Sequence, residues 1–252
     1  MTYKLGKLPA RPDAVKLKLR KYIDETALPT PPLRFGHYWR VDPPWGVLGN
    51  HDYGDCVWAG AAHEEMVWHA TGAKPLAAFN DKNVLSDYSA VTGFDPKHAE
   101  ETDNGTDMQQ AASYRRRTGI VDSRGRRHKI DSYVALKAGD VDELMLATYL
   151  FGAVGFGFSF PESAFKQFDR QVPWDVVPSR VSGGHYVSVV GRNSKGNILL
   201  VTWGRLHAMS PDFVRKYNDE SICYLSLDSL NSALVSREGF DVETLRSDLG
   251  AL

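Results

Sequence analysis

The sequence predicts an α+β fold, with helices gathered in the first half of the chain and antiparallel strands in the second. Three observations carry this reading. An Ala-rich helical pattern opens at Cys56 and runs to Thr71, where Gly72 supplies a stop. Apolar, strand-like runs at 153–159, 185–192, 197–203 and 221–227 crowd the second half. Asn193-Ser194-Lys195-Gly196 separates two of these runs and reads as a hairpin turn, which makes their pairing antiparallel.

Residues 1–48 differ from the rest. They hold seven of the 13 prolines, and Lys and Arg dominate from Lys4 to Lys21. This predicts an extended basic arm with one short helix over Asp13–Ile23, capped by Asp13. Such an arm either straps across the body or offers a site to a protein assembly partner. An inhibitory propeptide is a third reading, and the segment is short for one. The folded domain is expected over 49–235, followed by a tail, 236–252, with a short helix from Asp241.

Within that domain, Ala61, Ala62, Glu65, Met66, Trp68 and His69 fit a helix buried along much of its surface. Residues 74–105 read as irregular, with a short helix at Asn83–Tyr88. A second helix is predicted at Asp107–Thr118, capped by Asp103 or Asn104 and stopped by Gly119. A third spans Asp140–Leu150, with Asp140 as cap and Glu143 at capping-box spacing. Arg115-Arg116-Arg117 and Arg124 to Lys129 form a basic cluster, read as a solvated helix end and hairpin.

Composition narrows the function. A hydrophobic fraction of 42% and a charged fraction of 24% describe an ordinary globule. The net charge of −1 gives no pull toward nucleic acid or anionic membrane, so neither is expected as a partner. No apolar run is long enough to cross a bilayer. The basic N-terminus lacks the apolar core of a signal peptide, so the expected location is cytoplasmic or virion-associated. With two cysteines, the chain reads as one from a reducing compartment. Cys223, inside the apolar run Ile222 to Leu225, reads as a core residue.

The chemistry centres on Cys56. A glycine-containing turn, Asn50 to Asp55, runs straight into a helix that begins at this thiol. Unpaired N–H groups and the helix dipole favour a thiolate there. His185 lies 129 residues on, after Gly183-Gly184, and opens an apolar strand. A cysteine on a helix start and a histidine on a strand are the parts of a Cys–His nucleophilic site. Cys56 would attack a carbonyl carbon, and His185 would take the thiol proton and return it to the leaving group. His63 and His69 are six apart and do not share a helical face as an i, i+4 pair does, so no metal site and no cofactor are predicted. Gly152 to Gly157 only superficially matches a phosphate-loop pattern, because a strand follows it.

At these positions the chain resembles the papain/cathepsin family of cysteine peptidases, over about residues 45–227. In that family, histidine and asparagine follow the cysteine by roughly 130–150 residues. Asp103 to Ala111 resembles the family's Asn-Gly-Gly loop and following helix, and Gly119 to Ser123 the stretch after it. Gly152 to Phe158 resembles its glycine-proline strand, with Ala153 where proline is usual. Gly184 to Gly191 resembles its histidine strand, and Ile198 to Gly204 its Asn-Ser-Trp-Gly strand. The motif around the cysteine is reduced to Tyr53-Gly54-Asp55-Cys56-Val57, with the tryptophan displaced to Trp58. The pattern also resembles phage and bacterial proteins with Gly-Asp-Cys before an Ala-rich helix.

The resemblance implies two lobes around a cleft, a helical one over about 49–135 and a β one over about 136–235. It implies Asn50 as an oxyanion donor, and Gly105, Thr106, Gly184 and Trp203 as substrate-binding positions, Trp203 covering the histidine. By register from Trp203-Gly204, the family's asparagine falls on Val201, which has no acceptor. Thr202 and Asp52 are the candidates to orient His185, although a regular strand would turn Thr202 to the opposite face. The implied function is a cysteine peptidase, or a related acyl transferase, acting on peptide or isopeptide bonds of a peptide or protein substrate. The alternative is a catalytically silent structural or binding domain, as in a phage particle. A cell-wall amidase or endopeptidase is a second alternative, against which the 129-residue gap counts.

Overall fold

The structure is a computed structural model and describes residues 3–22, 30–36, 38, 41, 45–72 and 75–226. The tail 236–252, with its expected helix, lies outside the described residues. A seven-stranded antiparallel sheet organises the chain. Its strand order is β4 (Ser132–Leu136), β9 (Asn218–Leu225), β5 (Val154–Pro161), β6 (Val181–Arg192), β7 (Ile198–Thr202), β8 (Arg205–Met209), and β1 (Phe35–Gly36) adds to β6. A separate hairpin pairs β2 (Ile120–Val121) with β3 (Arg127–His128).

Strand alternation divides the apolar residues between two cores. Phe156, Phe158, Val187, Val189, Ile198 and Leu200 face α5 (Val141–Phe151), α6 (Ser163–Asp169) and α7 (Pro211–Tyr217). Tyr186, Val190, Leu199, Val201 and Tyr224 face the central helix, α1 (Cys56–Thr71). That helix is covered on nearly every side, which matches its small, weakly amphipathic sequence. A side chain at Gly60 would bring a Cβ within 2.3 Å of the Tyr186 ring, and Ser188 donates to the Gly60 carbonyl at 2.8 Å. The helix therefore lies directly on β6, the strand that carries His185.

β5 uses glycine in the same way. Its phenylalanines fill one core, while Gly155 and Gly157 alternate toward the other face. A Cβ at Gly155 would meet the Tyr186 hydroxyl at 2.1 Å, and one at Gly157 would meet Lys7 Cε at 2.3 Å. The bare strand leaves room for both side chains.

The helices show where capping signals acted. α2 (Asp81–Thr92) is longer than its predicted core and is capped by Asn80, whose side chain accepts the Asn83 amide. α4 (Met108–Arg117) is capped by Asp107, which accepts the Gln110 amide, and not by Asp103 or Asn104 as predicted. Asp103 is engaged elsewhere, and Asn104 donates to Glu101 O. Asp140 caps α5, but Glu143 accepts the Lys137 amide instead of reaching back to the cap. The remaining short helix, α3 (Ala99–Thr102), lies before that loop.

The predicted helix over Asp13–Ile23 does not form in the described part. Asp13 has φ +54°, its carboxylate pairs with Lys18, and only Leu19–Lys21 makes a 3-10 turn. The edge strand β4 claims this segment: Ala135 N–H donates to Leu17 O, and Lys18 bridges Ala135. Burial of Leu19 in the sheet's core anchors it there.

Candidate active site

Cys56 opens α1 from a turn that a single carboxylate holds. Gly54 N–H reaches both Asp103 oxygens, at 2.9 and 3.0 Å. Tyr88 donates its hydroxyl to Asp103 at 2.7 Å and accepts Gly105 N–H at 2.9 Å. Trp58, one turn into the helix, donates its indole N–H to Thr106 Oγ1 at 3.0 Å. The cysteine turn and the Gly105-Thr106 loop are thus one rigid unit.

His185 sits on β6 with its ring stacked on Trp203, centroids 4.5 Å apart, and the edges of Phe158 and Phe160 against it. Its Nε2 lies 2.8 Å from Thr202 Oγ1. Thr202 points to the face opposite Val201, as a regular strand requires, and His185 lies on that face. The β6–β7 register pairs Ser188 with Val201, which sends Val201 toward α1 and puts Thr202 on the face of Val187 and His185. His185 Nδ1 has no hydrogen-bond partner among the described residues. Asp52 is exposed, and its carboxylate is not among the partners of His185.

Burial sets the protonation. It lowers His185 to about 3. It raises the Cys56 thiol to about 12, against the opposing effect of the Tyr186 and Gly6 N–H groups that point at the sulfur. The site as it stands holds a neutral thiol and a neutral imidazole. Burial likewise pushes the neighbouring Asp55 carboxyl well up. Asn50 is buried and spends an amide N–H on Tyr53 O at 3.0 Å.

The N-terminal arm covers this site. Tyr3 stacks on Trp203 at 4.5 Å, and the Trp203 indole N–H reaches Lys4 O at 3.3 Å. Thr106 N–H donates to Gly6 O at 2.7 Å, and Leu8 N–H donates back to Thr106 O at 3.0 Å. Lys7 N–H donates to Gly184 O at 3.1 Å. The approach leaves no room for side chains: a Cβ on Gly6 would fall 1.7 Å from Gly54 O, and one on Gly105 would fall 2.3 Å from Gly6 O. Lys7 is fully buried in the space beside Gly157, its ammonium 2.9 Å from Asp219 and 3.1 Å from Glu220. All four positions expected to bind substrate, Gly105, Thr106, Gly184 and Trp203, touch residues of this arm.

Sequence reasoning did not reach Lys7, Asp219 or Glu220. A lysine in a basic, Pro-rich arm reads as solvated, and an acidic pair at a strand start reads as surface. The available signal was the glycine alternation in β5, which marks space for a long side chain. Arg115 corrects the basic cluster: it is buried, 2.7 Å from Glu64 and over the Tyr224 ring, and so belongs to the core.

No protein-family model matches the chain, and no curated protein matches it by sequence. Solved structures do. Xylellain, a cysteine protease from Xylella fastidiosa, is 14% identical with a TM-score of 0.67, over 90% of this chain and 97% of that one. A procathepsin B from Trypanosoma congolense gives 12% identity and a TM-score of 0.63, over 88% and 86%. A cysteine protease of Carica candamarcensis gives 14% and 0.56, over 77% and 99%. The chain has the papain-like α+β fold of these cysteine proteases. Among the described residues no helix is long and apolar enough to cross a membrane.

Proposed function

We propose that the protein is a cysteine peptidase, or a related acyl transferase, whose Cys56–His185 site is held covered by residues 3–8 of its own chain. The observation that carries the reading is the placement of the arm. Its backbone pairs with Thr106 and Gly184 as an extended peptide would, and it lies over the sulfur. What it presents to Cys56 is the Gly6 N–H, not a carbonyl carbon. A nucleophile facing a donor has nothing to attack, so the arm blocks the site without being cut.

Uncovering the cleft readmits water and relieves the burial that holds the thiol neutral. The N-terminus of a 16-residue helix then favours the thiolate. Nδ1 of His185 takes the thiol proton, since Nε2 is committed to Thr202, and later returns it to the leaving group. The Cys56 backbone N–H, with Asn50 once its amide is released from Tyr53, would hold the oxyanion. The buried ion pair of Lys7 with Asp219 and Glu220 indicates a substrate with a lysine or arginine side chain at that position.

A second reading is a catalytically silent binding domain. The neutral state of both groups favours it. Gly6→Ala in the full chain separates the two, because its Cβ cannot fit against Gly54 O and must lift the arm. Lys7→Ala removes the anchor instead. For a peptidase, alkylation of Cys56 by iodoacetamide at neutral pH rises by at least about 100-fold in Gly6→Ala. Hydrolysis of lysine-containing peptides appears with it and is lost on adding Cys56→Ser. Unchanged alkylation and no hydrolysis in both variants, with native circular dichroism, would sink the enzymatic reading.

A further inference from the structure

On the far flank of α1, away from the thiol, a second cluster of reactive side chains has no part in the proposed chemistry. Glu65 and His69 are four apart and share a helical face. The β2–β3 hairpin brings His128 against them. His69 Nε2 lies 3.3 Å from Glu65 Oε1, and His128 Nδ1 lies 3.7 Å from the same oxygen. One ligand atom from each residue falls within 4.8 Å of the others, and all three residues are buried. In sequence His69 has only His63 near it, on a different face, and no local signal shows that the hairpin delivers a second imidazole.

The outer contacts fix how the rings are presented. His69 Nδ1 lies 2.8 Å from the Pro75 carbonyl oxygen, which can only accept, so Nδ1 is the donor. His128 Nε2 lies 3.1 Å from Asp122 Oδ2, which also accepts from Arg126 Nε, while Oδ1 of the same carboxylate accepts the Arg124 and Arg126 amides. Each ring therefore turns its other nitrogen toward Glu65. An imidazole that donates one N–H to a carbonyl or carboxylate, and aims the other nitrogen inward, is the arrangement that orients metal-bound histidines. Zinc bonds to nitrogen and oxygen run about 2.0–2.2 Å, so a tetrahedral site has ligand-to-ligand edges of roughly 3.3–3.6 Å. The two edges at Glu65 are already close to that.

We propose that Glu65, His69 and His128 form a site for a divalent transition-metal ion of the zinc class, which pins the β2–β3 hairpin to α1. Three protein ligands leave a fourth tetrahedral position for a bound water. The role is structural: the ion joins a helix to a hairpin of two-residue strands, and the reacting sulfur lies at the opposite end of that helix.

The test uses the full chain stripped with a chelator, then titrated with Zn²⁺ and, separately, Co²⁺. One equivalent is expected to bind. Co²⁺ should give visible bands of a four-coordinate site without a thiolate charge-transfer band, which separates this cluster from Cys56 and Cys223. Zn²⁺ at 100 times its Kd should raise Tm by about 5–10 °C. His128→Ala and the milder Glu65→Gln should abolish the spectrum, and Asp122→Asn should weaken affinity by about 10–100-fold. His98→Ala, at an exposed histidine, should change neither. Failure of the wild-type chain to bind one equivalent at micromolar Zn²⁺ overturns the proposal. So does a four-coordinate Co²⁺ spectrum that survives both ligand substitutions, which would place the ion elsewhere.

Discussion

Thr202 shows how much one side chain decides. Its hydroxyl gives His185 a partner that Val201, one residue earlier, cannot, because Val201 points into the α1 core. Thr202→Val keeps the shape and removes the oxygen. The buried imidazole is then left without its partner, a loss of about 1–3 kcal/mol. Urea unfolding should show that loss, and Thr202→Ser should recover most of it. In the Gly6→Ala background, Thr202→Val should also cut peptide hydrolysis by about tenfold or more while Thr202→Ser retains it. Equal hydrolysis by all three would mean that the hydroxyl only fills a core hydrogen bond.

At the scale of elements, contact between α1 and β6 depends on the absence of a side chain at Gly60. Gly60→Ala forces a Cβ onto the Tyr186 ring, which is locked because its hydroxyl donates to buried Glu64. Overpacking of this kind costs about 1–3 kcal/mol and should lower Tm by several degrees, although alanine is the better helix former. A neutral or raised Tm would show that the helix and strand can part. The same elements explain what could be read in advance. α1 was legible to the residue because its Ala-rich composition and Gly72 are local signals, and β5, β6, β7 and β9 because their apolar runs are long. β4 and β8 were missed: each has five residues, half of them polar or half-buried, and only partner strands give them a face. The candidacy of Cys56 and His185 rests on motif spacing, whereas Lys7 is brought beside them only by pairing with Thr106 and Gly184, more than 90 positions away in sequence.

The whole molecule carries a predictable response to acid. Burial lowers His185 to about 3, and His63 and His207 to about 4. In the unfolded chain these groups take up protons near pH 6.5, while the folded protein resists doing so until pH 3–4. Because the unfolded state then binds more protons at these histidines, their contribution is complete above about pH 6.5 and is lost as pH drops toward 4, while the raised carboxyl of Asp55 acts in the opposite sense. The urea midpoint should decline over that range, and His63→Gln should flatten part of the decline. The same pH dependence in wild type and His63→Gln would contradict a buried, neutral His63.

The tether on the arm has a kinetic meaning as well. A segment joined to the body meets its groove at an effective concentration on the order of millimolar, whatever the dilution of the protein. A free peptide with the same lysine and the same backbone pairing competes at that disadvantage from the outset. Turnover would therefore scale less with substrate supply than with the fraction of molecules in which residues 3–8 have let go. Diluting the protein would not release them, whereas a partner that grips residues 3–8, or a cut that severs them from the body, would.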